Sequence, residues 1–153
     1  MNKVNTLGLA ISVICLLNLS ACGGTDQDSA FEIELAKNKA LWQAQGISDY
    51  QIDFQLGCFC APEMNLLKTL YVSNNEVTSA IITTTGEQIA TEELTNLPSV
   101  TDAFQSIEDL KTQDIYELRV TYHETLGYPT LIYIDRVAEV ADEEMSWHFS
   151  NLH

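Results

Sequence analysis

The sequence predicts an α+β domain, a single mostly antiparallel sheet of about six strands with two helices on one face. Three observations carry that expectation. Two stretches repeat apolar residues at helical spacing, and several shorter ones alternate with a period of two. The links between the alternating stretches are short, which favours antiparallel neighbours. The order is helix, three strands, helix, three strands. Identity between the two halves is too poor to establish a duplication.

The first helix runs from Asp28 to Gln45. Ser29 and Glu32 have the spacing of a capping box, Phe31, Leu35, Leu41 and Trp42 give the apolar stripe, and Gly46 stands where a left-handed residue ends a helix. Trp42 reads as a core anchor. From Tyr50 the period becomes two: Tyr50, Ile52, Phe54, Leu56, Cys58 and Cys60 alternate with Gln51, Asp53 and Gln55 until Pro62. Leu66 to Val72 and Val77 to Thr83 are the next strands, joined at Asn74-Asn75, since Asn tolerates the left-handed region. Thr84 to Pro98 is a longer polar connection. Ser99 caps a second helix to Leu110, whose stripe is Val100, Ala103, Phe104, Ile107 and Leu110, with Asp102 in its first turn. Tyr116 to Tyr122, Thr130 to Asp135 and Met145 to Phe149 are the remaining strands. Tyr128-Pro129 precedes the second of these, the residue before proline being held extended.

Ahead of this domain, residues 1–21 have the layout of a secretory leader. Lys3 is its one charge, and Leu7 to Leu17 form an apolar core shorter than the roughly 20 residues that span a bilayer. Leu19-Ser20-Ala21-Cys22 then places small residues directly before a cysteine, and a polar tether begins at Gly23-Gly24. The pattern resembles the lipobox of bacterial lipoproteins. That resemblance implies removal of residues 1–21, lipidation of Cys22, a tether over 22–28 and a folded domain over 29–153. It implies a cell-envelope location facing the periplasm, with the membrane as partner through the lipid. Gly23, standing where no Asp follows the cysteine, favours the outer membrane in an enteric-like Gram-negative cell.

The chain has 22 acidic and 7 basic residues. The leader holds one lysine and no acid, so its removal takes the formal charge from −15 to −16 over the remaining 132 residues. Such a surface argues against nucleic acid, whose phosphates need Lys and Arg, and against electrostatic adhesion to anionic lipid.

With Cys15 in the leader and Cys22 acylated, Cys58 and Cys60 are left to each other in a compartment where disulfides persist. Residues i and i+2 of a strand lie about 6.6 Å apart, just inside the roughly 6.8 Å that a disulfide accepts, and Gly57 offers a bulge to bring them closer. A small structural disulfide, a redox pair and two metal ligands are the readings of this Cys-Phe-Cys. The metal reading needs further ligands, for which His123, His148 and Glu63 are the candidates. Asp142-Glu143-Glu144 with Asp135 and Glu139 has carboxylates for Ca²⁺ but not the spacing of a calcium loop, so a charged turn is expected. No catalytic triad, nucleophile elbow or phosphate loop is present, and no cofactor is implied.

Trp42, Tyr50, Cys58-Phe59-Cys60 and Pro62, followed by Asp102-Ala103-Phe104, Val120-Thr121-Tyr122, Gly127-Tyr128-Pro129, Ile132 to Asp135 and Asp142-Glu143-Glu144, resemble family 6174 of the domains of unknown function over most of residues 40–150. Ala61 stands where the pattern has proline. The resemblance implies a small envelope domain and transfers no activity. Two functions are therefore expected. One is a non-enzymatic, lipid-anchored module binding an envelope protein or small ligand around Cys58, Cys60, Tyr128 and Pro129. The other is a metal- or thiol-dependent periplasmic enzyme centred on Cys58 and Cys60.

Overall fold

A computed structural model describes residues 26–140 and 142–153. The leader, Cys15, the Leu19–Cys22 stretch and Gly23 lie outside the described residues. Helix α1 (Asp26–Gln45) is followed by β1 (Tyr50–Cys58), β2 (Lys68–Ser73) and β3 (Glu76–Ile82). Then come α2 (Val100–Leu110), β4 (Glu117–Tyr122), β5 (Pro129–Asp135) and β6 (Met145–Ser150). Two short 3₁₀ turns, Pro62–Asn65 and Thr91–Asn96, interrupt the longer connections.

The six strands form one sheet in the order β3-β2-β1-β6-β5-β4, antiparallel at every pairing. The expected α+β architecture is therefore observed. The two halves are not copies of one another. β1 is central and β4 is an edge strand running the opposite way, so no rotation that keeps both helices on one face superposes them.

Both helices lie on the face formed by Tyr50, Ile52 and Phe54, with Leu70, Ile132, Ile134 and Phe149 from the neighbouring strands. The α2 stripe is buried as its spacing predicts. Ser99 caps that helix with a reciprocal box: its Oγ accepts from Asp102 N at 3.2 Å, and Asp102 Oδ2 accepts from Ser99 N at 2.9 Å.

α1 departs from expectation at its start. No glycine or proline separates Asp26 from Ser29, and the helix begins at Asp26, so Ser29 lies inside it and is not its cap. Glu32, instead of reaching back, pairs with Lys111 at the end of α2, Nζ to Oε1 2.5 Å. The buried positions of α1 are Leu35, Asn38 and Trp42, with Leu41 only half-buried. Asn38 enters the stripe because its Nδ2 donates to the Glu34 carbonyl at 2.9 Å, which satisfies the amide within the helix.

The end of the molecule where α1 stops is aromatic. Trp42 meets Tyr50 edge-on at 5.6 Å and Tyr128 at 6.1 Å between ring centroids, and Tyr128 stacks on His123 at 4.9 Å. The Gly127 turn closes against α1 there. Gly127 has φ +80°, and a Cβ on it would stand 2.5 Å from the Asn38 carbonyl oxygen and 3.1 Å from Trp42 N. Asn74 and Asn75, at φ 51° and 66°, make the expected left-handed turn between β2 and β3. β1 is shorter than expected. It ends at Cys58, and the chain bends before Cys60. Gly57 stays in regular register with Ser146 and forms no bulge; a Cβ there would collide with the Ser146 Oγ.

Two buried phenols behave oppositely. Tyr50 Oη accepts the Val100 N–H at 2.8 Å, tying β1 to the start of α2, and burial pushes its phenol up to about 12. Tyr122 Oη is buried without a partner, and burial raises its phenol too. Tyr50→Phe strands a buried N–H and is expected to cost about 1–3 kcal/mol. Tyr122→Phe removes an unpaired hydroxyl and is expected to match or exceed the wild type. Urea unfolding of the two variants checks both signs. Gly127→Ala combines strain with collision, and the same measurement should show a loss of at least about 1–3 kcal/mol.

Candidate functional site

Because β1 stops at Cys58, the next residues turn back on themselves. The Cys58 and Cys60 Cα atoms are 5.3 Å apart and their sulfurs are in direct contact. This is shorter than the roughly 6.6 Å of a continuous strand, and Phe59 between them is driven outward to 81% exposure. Asn65, at the end of the Pro62–Asn65 turn, organises the loop. Its Oδ1 lies 3.4 Å from each sulfur and its Nδ2 donates to the Cys58 carbonyl at 3.2 Å. Gln55 Nε2 donates to the Asn65 carbonyl at 2.9 Å. Lys68 holds the far side, its Nζ donating to the Met64 carbonyl at 2.9 Å and the Leu66 carbonyl at 3.0 Å. Burial lowers the Lys68 ammonium from the usual lysine range.

The residues expected to share a surface with this loop are elsewhere. β1 ends at the Cys58 end of the sheet, whereas the turn before β5 is at the opposite end, so Cys58 and Cys60 are separated from Tyr128 and Pro129 by the length of the strands. Tyr128 is only 3% exposed and Pro129 is fully buried. The Gly-Tyr-Pro stretch is thus a packing element under Trp42 and not a binding surface. Its conspicuous residues serve the core because Gly127 lets the turn approach α1 so closely.

The histidines do not join the sulfurs either. His123 lies in the Tyr128 turn, where its Nδ1 accepts from Leu126 N at 3.2 Å. His148 pairs across from Gln55 on the face away from the helices, next to Ser146 Oγ at 3.1 Å. Glu63 is near the loop but exposed. Among the described residues no three His, Cys, Asp or Glu side chains gather in a metal-holding group.

The acidic segment after β5 is a hydrogen-bonded turn. Glu143 Oε1 accepts from Arg136 N at 2.9 Å and from Val137 N at 2.6 Å, and Asp135 Oδ1 accepts from Val137 N at 3.2 Å. Desolvation first, then a side-chain hydrogen bond with Glu143 and the charges of Glu143 and Glu144, raise the Asp135 carboxyl.

One polar group escaped the sequence reading. Asp53, in the polar phase of β1, is 8% exposed. Its Oδ1 accepts from Thr69 Oγ1 at 2.7 Å and its Oδ2 from Asn151 Nδ2 at 2.9 Å. Thr69 is its partner across to β2, so the signal is cross-strand register, which a single sequence does not display.

The arrangement defines a class before a family: a small α+β domain with a pinched dicysteine loop at one end of an open-faced sheet. The model of the family of unknown function DUF6174 matches residues 34–153, and the chain belongs to that family. No curated protein and no solved structure matches the chain.

The Asp135 cluster makes a pH prediction. A carboxyl whose folded pKa is raised contributes stability below the ordinary carboxylate range, and that contribution is lost as pH rises through the folded value. Asp135→Asn keeps an oxygen for Val137 N–H and cannot ionise. Thermal melts should show it gaining on the wild type near neutral pH, with the gain vanishing below about pH 4.

Proposed function

We propose that this chain is a lipid-anchored, non-enzymatic domain of the bacterial cell envelope, held at the membrane through Cys22 and carrying Cys58–Cys60 as a structural disulfide. The observation that carries the reading is the run from Lys3 through Leu7–Leu17 to Leu19-Ser20-Ala21-Cys22, with a folded domain beginning soon after it. The Cα separation of 5.3 Å supports the disulfide, since it falls within the range such bonds accept. Asn65 supports it too, because an amide lying between both sulfurs and the Cys58 carbonyl steadies the pair in one conformation. So tight a loop removes little chain entropy, so the bond shapes the loop more than it stabilises the domain.

A non-enzymatic role is favoured by what surrounds the sulfurs. His123 and His148 lie apart from them, and the polar group against both sulfurs is the Asn65 amide. A metal- or thiol-dependent enzyme centred on Cys58 and Cys60 is the competing reading. Neither catalysis nor a cofactor is needed to account for the loop.

Metabolic labelling with a fatty acid, comparing the full-length wild type with Cys22→Ser, tests the anchor. Label is expected in the wild type and absent from the variant; an unlabelled wild type removes the lipoprotein reading. Thiol titration and metal analysis of the exported protein test the loop. The expected result is no free thiol and no bound metal. Two free thiols, or metal bound one-to-one and lost in Cys58→Ser, would favour the enzyme.

A further inference from the structure

We propose that the end of the sheet bearing Phe59 rests on the membrane surface, its apolar loop tips seated among zwitterionic lipid headgroups. The inference depends on Cys22 being the lipid anchor. It begins from an uneven distribution of apolar side chains. Phe59, Met64, Leu66, Tyr116, Val137 and Val140 are all well exposed. They come from three segments remote in sequence, the β1–β2 loop, the approach to β4 and the β5–β6 loop. The antiparallel order brings all three to one end of the sheet. Ile33, on the first half of α1, is the one other large apolar side chain of such exposure among the described residues. The opposite end presents Asn74-Asn75 and the Glu124-Thr125 turn to solvent. A soluble domain rarely gathers exposed apolar groups in this way without something to cover them.

The start of α1 is at the same end. Glu32 pairs with Lys111 just past α2, and Phe31 and Glu32 line one cleft with Tyr116 and Glu117. Three residues separate Cys22 from Asp26, so four backbone steps give a reach of at most about 14 Å. A lipid on Cys22 therefore holds the start of α1, and with it this end of the sheet, near the bilayer. The far turns lie farther off by the length of β1, whose nine residues span about 30 Å. Distance alone selects which end meets lipid.

The pinched loop suits this role. Contact between Cys58 and Cys60 forces Phe59 out, and Asn65 and Lys68 fix the backbone on either side. The backbone carrying the aromatic ring is thus ordered before contact, which lowers the ordering cost of docking. Charge identifies the kind of surface. Glu63, Glu117, Glu139, Glu143 and Glu144 stand at this end, and they repel anionic headgroups. Apolar seating among neutral headgroups, with the anchor supplying retention, is what remains.

The test uses the full-length lipidated protein in phosphatidylcholine vesicles with brominated acyl chains. Tyr116→Trp and Val140→Trp report from the proposed contact, and Glu124→Trp from the far end. All three should float with the vesicles. The added emission should be lost to bromine quenching in the first two and retained in the third. Flotation without that difference overturns the inference and leaves the anchor intact. Failure of the wild type to float overturns both. A photo-crosslinking residue at position 59 that couples to a protein in intact envelopes, with no lipid quenching, overturns it in favour of a protein partner.

Discussion

The pairing of β1 with β6 is the contact on which the molecule depends. Each three-strand group is a meander of local hairpins, and only this one ladder joins them. It brings Phe54 opposite Phe149, with ring centroids 5.2 Å apart, on the face that the helices cover. On the other face Asp53 fastens the same junction. It takes a hydrogen bond from Thr69 in β2 and another from Asn151 just after β6, so one carboxylate spans three strands. The C-terminal residue continues the ladder, His153 and Gln51 exchanging backbone bonds at 2.9 and 3.0 Å. A slip of one residue would turn the phenylalanines outward and bury an unpaired Asp53, so apolar packing and polar satisfaction enforce one register.

The two ends of the sheet are built differently. At the α1 C-terminal end, Trp42, Tyr50, Tyr128 and His123 form a continuous aromatic cluster, and the Tyr50 hydroxyl secures the first turn of α2. That end is closed and its backbone approaches are tight. At the other end the connections are longer, and their apolar tips project. The two helices are tied to each other by Lys39–Glu108 and Lys111–Glu32, each only partly shielded from water and worth little as an isolated pair.

Most of the architecture was legible because helix and strand leave different periods in the chain. The α2 stripe, the alternation of β1 and the Asn74-Asn75 turn each reflect one local rule. Three features resisted for physical reasons. The α1 cap was misplaced because Ser29 and Glu32 satisfy a spacing rule that the helix, uninterrupted back to Asp26, never uses. Asp53 was hidden because its partners are Thr69 and Asn151, neighbours only after pairing. Tyr128 and Pro129 looked like a surface because distinctive turn residues suggest recognition, whereas here they fill the gap under Trp42. At the candidate site, Cys58 and Cys60 were visible from spacing alone. What the spacing could not convey is that the strand ends at the first of them and that Asn65 lies against both.

The central place of β6 has a consequence for biogenesis. Of the six strands it is the last to be synthesised, yet it fills the middle of the sheet, so β1 must wait with one edge open while everything from β2 to β5 emerges. An unpaired, apolar-faced central strand is a template for association with other chains. A chain of this topology gains from a holding chaperone until β6 arrives, and any ribosomal stall before β6 leaves the inner edges of β1 and β5 exposed at once.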